Sequence, residues 1–387
     1  MYKYTCLNPI SQNGLSKLSA DFVQVDSIEE ADAILVRSAK MHDIELPASV
    51  VSVSRAGAGT NNIPVDKYAK QGVVVFNTPG ANANGVKELV LLGMLLASRD
   101  IIGGIDWIRA EADNPEMPGQ VEKQKKKYAG NEIMGKKLGI IGLGAIGQLV
   151  ANAAIDLGMD VYGFDPYLSI DAAWNLSKEV HHINRVEDIY KECDFITVHV
   201  PLMDATRGMI GADAFALMKD GVVILNMARD GIVDEDELLK AIEAGKVKKY
   251  VTDFVTSKIA GKPGVIATPH LGASTDESEE NCAVMAAIDM QEFINNGNIR
   301  HSVNFPNVDA GVCESAGRLS VAHENIPGMI NNFSKIIGEA GINIDNFVDK
   351  GRGSVAYSII DINTPATQEV IDKLNNAEGV WKVRVVK

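Results

Sequence analysis

Two side chains that follow strand-like runs could do chemistry on a small acid. Arg229 comes after GVVILNMA, and its guanidinium can hold a planar carboxylate through two parallel donors while polarising a neighbouring oxygen. His270, in VIATPHLGAST, carries an imidazole able to take or give a proton near neutral pH. Taken singly, Arg229 also suits a surface ion pair and His270 a structural role. A third feature changes the weighing: Gly142, Gly144 and Gly147 in LGIIGLGAIGQLV follow a short apolar run and open a helix-like segment. MDVYGFD comes next as a second strand and puts Asp165 at its tip. In such a unit the first glycine makes the turn, the second lets backbone approach a pyrophosphate, and the third lets helix pack on sheet. The helix start, Ala145 and Ile146, offers free N–H groups to phosphate. Asp165 would accept from ribose hydroxyls and repel a 2′-phosphate, which selects NAD over NADP. Beside a dinucleotide, an arginine and a histidine read as a hydride-transfer site.

The elements that must position these groups are legible as a βα rhythm. ADAILVRS, SVVSVSRAGAG and GVVVFNTPG are apolar runs ending in polar or glycine-rich stretches, then comes a long apolar helix, Val86 to Arg99. DFITVHV, GVVILNMA, KYVTDF and GVIATPH repeat the pattern, as a parallel sheet requires. Ligands bind at the carboxyl ends of such strands, so Pro201, Arg229, Asp253 and His270 are expected along one rim. Arg318 to Lys387 differs: its order is strand, helix, strand, strand, helix, strand, a ferredoxin-like βαββαβ module. The expected fold is α/β, with two Rossmann-like doubly wound parallel-sheet domains and this module at the C-terminus.

Composition bounds the partners. The 387 residues carry 37 basic and 51 acidic side chains, a net charge of −14, which disfavours nucleic acid and anionic membrane surfaces. Cys6, Cys193, Cys282 and Cys313 are far apart, so neither a zinc site nor a disulfide framework is indicated and no metal is expected. The start MYKYTCLNPISQNG lacks a signal-peptide pattern, and a cytoplasmic location is expected.

The motifs RAGAGTNNI, NTPGANANGVKEL, LGIIGLGAIG, HVPLMDATRGMIG, MKDGVVILNMARDGIVDEDEL, TPHLGAST and VNFP, in this order from Met1 to about Pro306, resemble those of the D-isomer-specific 2-hydroxyacid dehydrogenases. The resemblance implies a substrate domain, residues 1–98 with a returning segment 285–306, enclosing an NAD domain, residues 99–284. A linker, 307–317, and an ACT-like module, 318–387, follow. It places NAD along Gly142 to Gly147, Asp165, Pro201, Thr206 and Asp253, and substrate on Arg55, Gly57 and Asn77. VRSAK, with Arg37 and Lys40, and HENIPG resemble the family members that oxidise 3-phospho-D-glycerate to 3-phosphohydroxypyruvate, the entry to serine synthesis. Arg37 and Lys40 then serve the phosphate, and His323, Asn325 and Asn343 match an L-serine effector site. A homodimer or homotetramer is implied as well. The alternatives are a dehydrogenase of another small 2-hydroxy acid and a non-catalytic NAD-sensing protein.

The pattern breaks at one place. Family members with a His–Glu pair carry the glutamate five positions after the strand-end aspartate, and counting from Asp253 that position holds Lys258. No Asp or Glu occurs from Phe254 to Pro269. Either Lys258, partly buried, carries the proton or anchors substrate, or it swings outward and His270 works alone or with a carboxylate from elsewhere. The first reading is preferred here. Asp230 also stands where the family usually has glycine.

Overall fold

The computed structural model describes residues 1–387, the side chain of Asp171 excepted. Its contacts divide the chain into two compact units: Met1–Asn82 with Asp276–Lys387, and Ala83–Thr275.

The first unit begins with a parallel sheet of β1 (Tyr2–Cys6), β2 (Phe22–Gln24), β3 (Ala33–Val36), β4 (Ser52–Arg55) and β5 (Val74–Phe76), in the order β2-β1-β3-β4-β5. β3 and β5 are buried along their whole length, which is why they read as continuous apolar runs with no polar alternation. The helix Asp276–Asn296 packs against β3, β4 and β5. Residues 301–304 return beside β5, with Phe76 and Ser302 in an antiparallel bridge.

The second unit holds β6 (Lys137–Ile141), β7 (Asp160–Phe164), β8 (His181–His182), β9 (Phe195–Val198), β10 (Val222–Asn226), β11 (Val247–Thr252) and β12 (Val265–Ala267). Its order is β12-β11-β10-β9-β6-β7-β8, all parallel, so the winding reverses between β6 and β9. Loops at such a reversal diverge and leave a crevice above the strand ends.

Both expected boundaries move. The helix Ala83–Ser98 belongs to the second unit because Val86, Val90 and Met94 are buried with Leu225, Met227 and Val251. Each such side chain contributes roughly 1.5–3 kcal/mol. The helix Asp276–Asn296 belongs to the first, since Cys282, Ala286, Met290 and Phe293 join the core of β1, β3 and β5.

The C-terminal module has β13 (Gly317–Glu324), β14 (Ile344–Arg352), β15 (Val355–Ile362) and β16 (Val380–Val385) in the antiparallel order β14-β15-β13-β16. β14 runs to Arg352, and Gly353 with Ser354 makes the turn into β15. Period-two alternation gives the sheet two apolar faces. Leu319, Val321, Ile360 and Ile362 pack on Phe333, Ile337, Val370 and Leu374 of its own helices. Ala322, Tyr357 and Ile359 instead join the core of the first unit with Phe293 and Phe305. The C-terminal module is thus docked on the core of the first unit's parallel sheet. Arg318, fully buried, fastens it: its guanidinium donates to Asp361 at 2.8 Å and to the carbonyls of Asn296, Ala310 and Gly311. Among the described residues no helix is long and apolar enough to cross a membrane.

Candidate active site

The glycine turn has the geometry a pyrophosphate needs. Gly142 lies at φ 94, and a Cβ there would meet the carbonyl oxygen of His199 at 2.8 Å. At Gly147 a Cβ would collide with the Gly142 carbonyl, so helix and turn touch only through glycine. Gly144 is the opposite case, since a Cβ built on it meets nothing within 4 Å. That open side is where a ligand's phosphates would lie. Gly144 caps the helix Ala145–Asp156 without a side-chain acceptor, leaving the first-turn amides of Ala145, Ile146 and Gly147 to face it.

Asp165 has a local task besides the expected one. Its two carboxylate oxygens accept from Leu143 N and Tyr167 N, each at 2.8 Å, so it braces the glycine turn from the next strand. Each oxygen keeps a second lone pair for a ribose hydroxyl. Across the strand reversal, the loop after β9 closes on itself, with Thr206 Oγ1 donating to Pro201 O at 2.6 Å and accepting from Met203 N at 2.9 Å. Sequence reasoning missed His199 in this loop. Its Nε2 pairs with Thr197 Oγ1 at 3.0 Å, its Nδ1 is buried without a partner, and burial pulls its pKa down to about 4.

Arg229, His270 and Asp253 come together around a ring that sequence reasoning also missed. Asn226, at the end of β10, fixes the turn that bears the arginine: its amide nitrogen donates to Arg229 O at 2.8 Å and its oxygen accepts from Ala228 N at 3.1 Å. The guanidinium is exposed, lies 5.7 Å from the Phe254 ring centre, and makes no ion pair among the described residues. His270 packs on the same ring with centroids 4.4 Å apart. Phe254 therefore holds on one support an imidazole and a guanidinium that has no carboxylate partner, one of its terminal nitrogens donating to Ala228 O at 2.6 Å. Asp253, at 2% exposure, accepts from Gly272 N at 2.9 Å through one oxygen while the other has no partner. Burial raises its pKa, and His270 and Arg229 are among the charges that offset part of this. It is the carboxylate that reaches both groups electrostatically. Asp230 makes no ion pair with Arg229 among the described residues.

Lys258 corrects an expectation. It is half-exposed and its Nζ lies 2.9 Å from Asp236 Oδ2, and that hydrogen bond raises its pKa. A proton carrier would need the opposite shift, from burial without a counter-ion. The reason lies in the helix Glu235–Glu243, which Asp234 caps by accepting from Asp236 N and Glu237 N. Its acidic first turn draws the loop over: Thr256 donates to Glu235 at 2.8 Å while Lys258 takes Asp236. The outward swing is the arrangement this structure contains.

In the first unit, Arg37 also differs from expectation. Both of its terminal nitrogens are engaged by the Glu279 carboxylate, one at 2.8 Å, so it is a paired cation rather than a free one. Lys40 is exposed and in no ion pair among the described residues. Arg55 Nε donates to Arg37 O at 3.2 Å, and its guanidinium lies where a Cβ on Gly57 would be, which only glycine at φ 147 allows. Asn77 Nδ2 donates to Ala58 O at 2.6 Å, and Gly57 N to Thr78 Oγ1 at 2.8 Å, so the loops after β4 and β5 are tied together. Glu279 has no local sequence signal.

The expected effector residues are internally satisfied. His323, 1% exposed, places Nδ1 on Glu324 O at 2.8 Å and Nε2 on Asp349 and Ser358, both at 3.0 Å. Asn325 donates to Gly353 O and Asn343 to Asp345.

Residues 91–272 match the model of the D-isomer specific 2-hydroxyacid dehydrogenase NAD binding domain. The chain is 30% identical over 357 residues to the D-3-phosphoglycerate dehydrogenase of Haemophilus influenzae, covering 89% of this chain and 83% of that one. It is 33% identical to the D-3-phosphoglycerate dehydrogenase of Methanocaldococcus jannaschii, covering 73% of this chain and about half, 54%, of the relative. Among solved structures, the NAD⁺-bound 3-phosphoglycerate dehydrogenase of Entamoeba histolytica superposes with a TM-score of 0.60 at 26% identity, covering 78% of this chain and 98% of that one.

Proposed function

This chain belongs to the D-isomer-specific 2-hydroxyacid dehydrogenases, NAD-dependent oxidoreductases, and from that premise we propose that it oxidises 3-phospho-D-glycerate to 3-phosphohydroxypyruvate. The observation that carries the reading is the pair Arg229 and His270 on Phe254 above the buried Asp253. Arg229, unpaired, takes the substrate carboxylate bidentately. His270 removes the 2-hydroxyl proton in oxidation and returns it in reduction. Asp253 is the buried acid next in sequence to Phe254, and it feels the charges of both His270 and Arg229. Bound NAD supplies the hydride acceptor. In this reading the substrate phosphate is met by Lys40 and Arg55, and by Arg37 when it releases Glu279.

Pairing of two copies belongs to the same reading. Ile101, Ile102, Ile105 and Ile108 lie along the helix Ile101–Ala110 at 42–49% exposure, a ridge of the kind subunits bury. Regulation by L-serine is its finer part, and the enclosed His323 stands against it. Equilibrium dialysis with labelled serine decides, and absence of binding leaves the module a docked structural unit.

The test of the main reading follows NADH absorbance during reduction of 3-phosphohydroxypyruvate and of unphosphorylated hydroxypyruvate. Wild type is compared with Lys40→Ala, His270→Ala and Lys258→Ala. Loss of turnover in His270→Ala, near-normal Lys258→Ala, and a KM rise in Lys40→Ala confined to the phosphorylated acid are expected. Collapse in Lys258→Ala would return the lysine to the site. Equal KM changes for both acids in Lys40→Ala would favour another small 2-hydroxy acid.

A further inference from the structure

His301 is the one non-glycine residue with a positive φ, 55°, among the described residues. An L-residue in this conformation costs about 1–2 kcal/mol, and such strain persists where the surroundings over-determine it. Here they do so from three sides. The carbonyl of His301 accepts from Asn77 N at 3.2 Å, satisfying the first amide beyond β5. The residues after it continue along β5, with Val303 N donating to Val75 O at 2.9 Å and the Asn304 side chain bridging Val75 N and Val73 O, each at 2.9 Å. The imidazole turns the other way, to Asp289 on the helix Asp276–Asn296, with Nδ1 and Oδ2 2.9 Å apart. Asp289 is 6% exposed, and His301 is its hydrogen-bond partner. Arg352 of β14 donates to the carbonyls of Ser302 and Val303 and holds the segment from the C-terminal sheet.

We infer that His301 is a positioning residue for the substrate loops: clamped by Asp289, it fixes Asn77, and through Asn77 the loop that carries Arg55 and Gly57. The link between the two loops is the pair of contacts already described, Asn77 to Ala58 and Gly57 to Thr78. Without the imidazole the buried Asp289 carboxylate loses its partner, and the segment has no reason to keep a left-handed residue at the point where Asn77 is held. The Asn77 amide then gives up its acceptor, and both loops at the carboxyl ends of β4 and β5 loosen together. The chemistry at Arg229 and His270 is untouched by this. The effect therefore falls on substrate binding rather than on proton or hydride transfer. The inference rests on the proposed substrate role of Arg55, Gly57 and Asn77.

Three variants separate backbone from side chain. His301→Asn tolerates left-handed φ and keeps a donor for Asp289; His301→Gly frees the backbone but removes the donor; His301→Ala loses both. Two readouts are taken: KM and kcat for 3-phosphohydroxypyruvate, and amide hydrogen exchange of the peptide containing Asn77. Glycine and alanine variants are expected to raise KM about tenfold with kcat within about twofold, and to exchange faster at Asn77, while the asparagine variant stays near wild type in both. Wild-type exchange at Asn77 in the glycine and alanine variants overturns the inference. So does faster exchange with an unchanged KM, or a fall in kcat at constant KM. If wild type reduces neither 3-phosphohydroxypyruvate nor hydroxypyruvate, it is the substrate reading that fails. The exchange pattern across the three variants still decides whether His301 holds Asn77.

Discussion

Replacing His199 by glutamine should remove much of the acid sensitivity of the nucleotide-binding unit. The imidazole shares one nitrogen with Thr197 and buries the other without a partner. Protonation would therefore create a charged N–H with no acceptor, and burial draws the pKa from 6.5 down to about 4. The sign follows from linkage. Above about pH 6.5 the ring is neutral in both the folded and the unfolded chain, and it contributes no pH dependence. As pH falls from there toward 4, the unfolded chain takes up a proton that the folded chain refuses, so stability is lost; below about 4 both are protonated and the loss levels off. At about 1.4 kcal/mol per unit, the full shift is worth on the order of 3 kcal/mol. The assay is urea unfolding of the NAD-free chain, followed by circular dichroism from about pH 8 to about pH 4.5, for wild type and His199→Gln. Other titrating groups cancel in the difference between the curves. Wild type should lose on the order of 2–3 kcal/mol more than the variant over that range. Parallel curves, with a difference constant to about 0.5 kcal/mol, would show that the ring titrates normally and that the burial argument is wrong.

Two further outcomes follow from buried charges. Asp253→Asn should raise the melting temperature of the NAD-free chain at neutral pH while impairing turnover, because burial raises the aspartate's folded pKa and makes its charged form a cost above that pKa; an unchanged melting temperature at pH 7 together with a gain at pH 3 would contradict this sign. Arg318→Ala should destabilise the first unit by roughly 3–5 kcal/mol, since it leaves Asp361 buried and unpaired. A urea midpoint within error of wild type would mean the C-terminal sheet is held by its apolar face alone.

Much of this protein was written locally in its sequence. The glycine spacing needs only near neighbours: Gly142 must take positive φ, and Gly147 must lie against the Gly142 carbonyl. Strand runs such as VVILN and AILV are buried on both faces and show it in their composition. The βαββαβ order of the tail was legible for the same reason, as periodicity and turn residues act within a few positions. Which partner a charged side chain finds is another matter, because it depends on elements that only packing brings together. Lys258 turns to Asp236 on a capped helix rather than to His270. Arg37 meets Glu279, 242 positions further along the chain. The strained His301 is held between Asp289 and Asn77. The docking of the C-terminal sheet on Phe293 and Phe305 belongs with these, because both faces of that sheet carry apolar residues and pattern alone does not say what covers the second. Residue type and spacing thus determined the backbone and the candidate chemistry, while the tertiary structure decided which charges remain free to perform it.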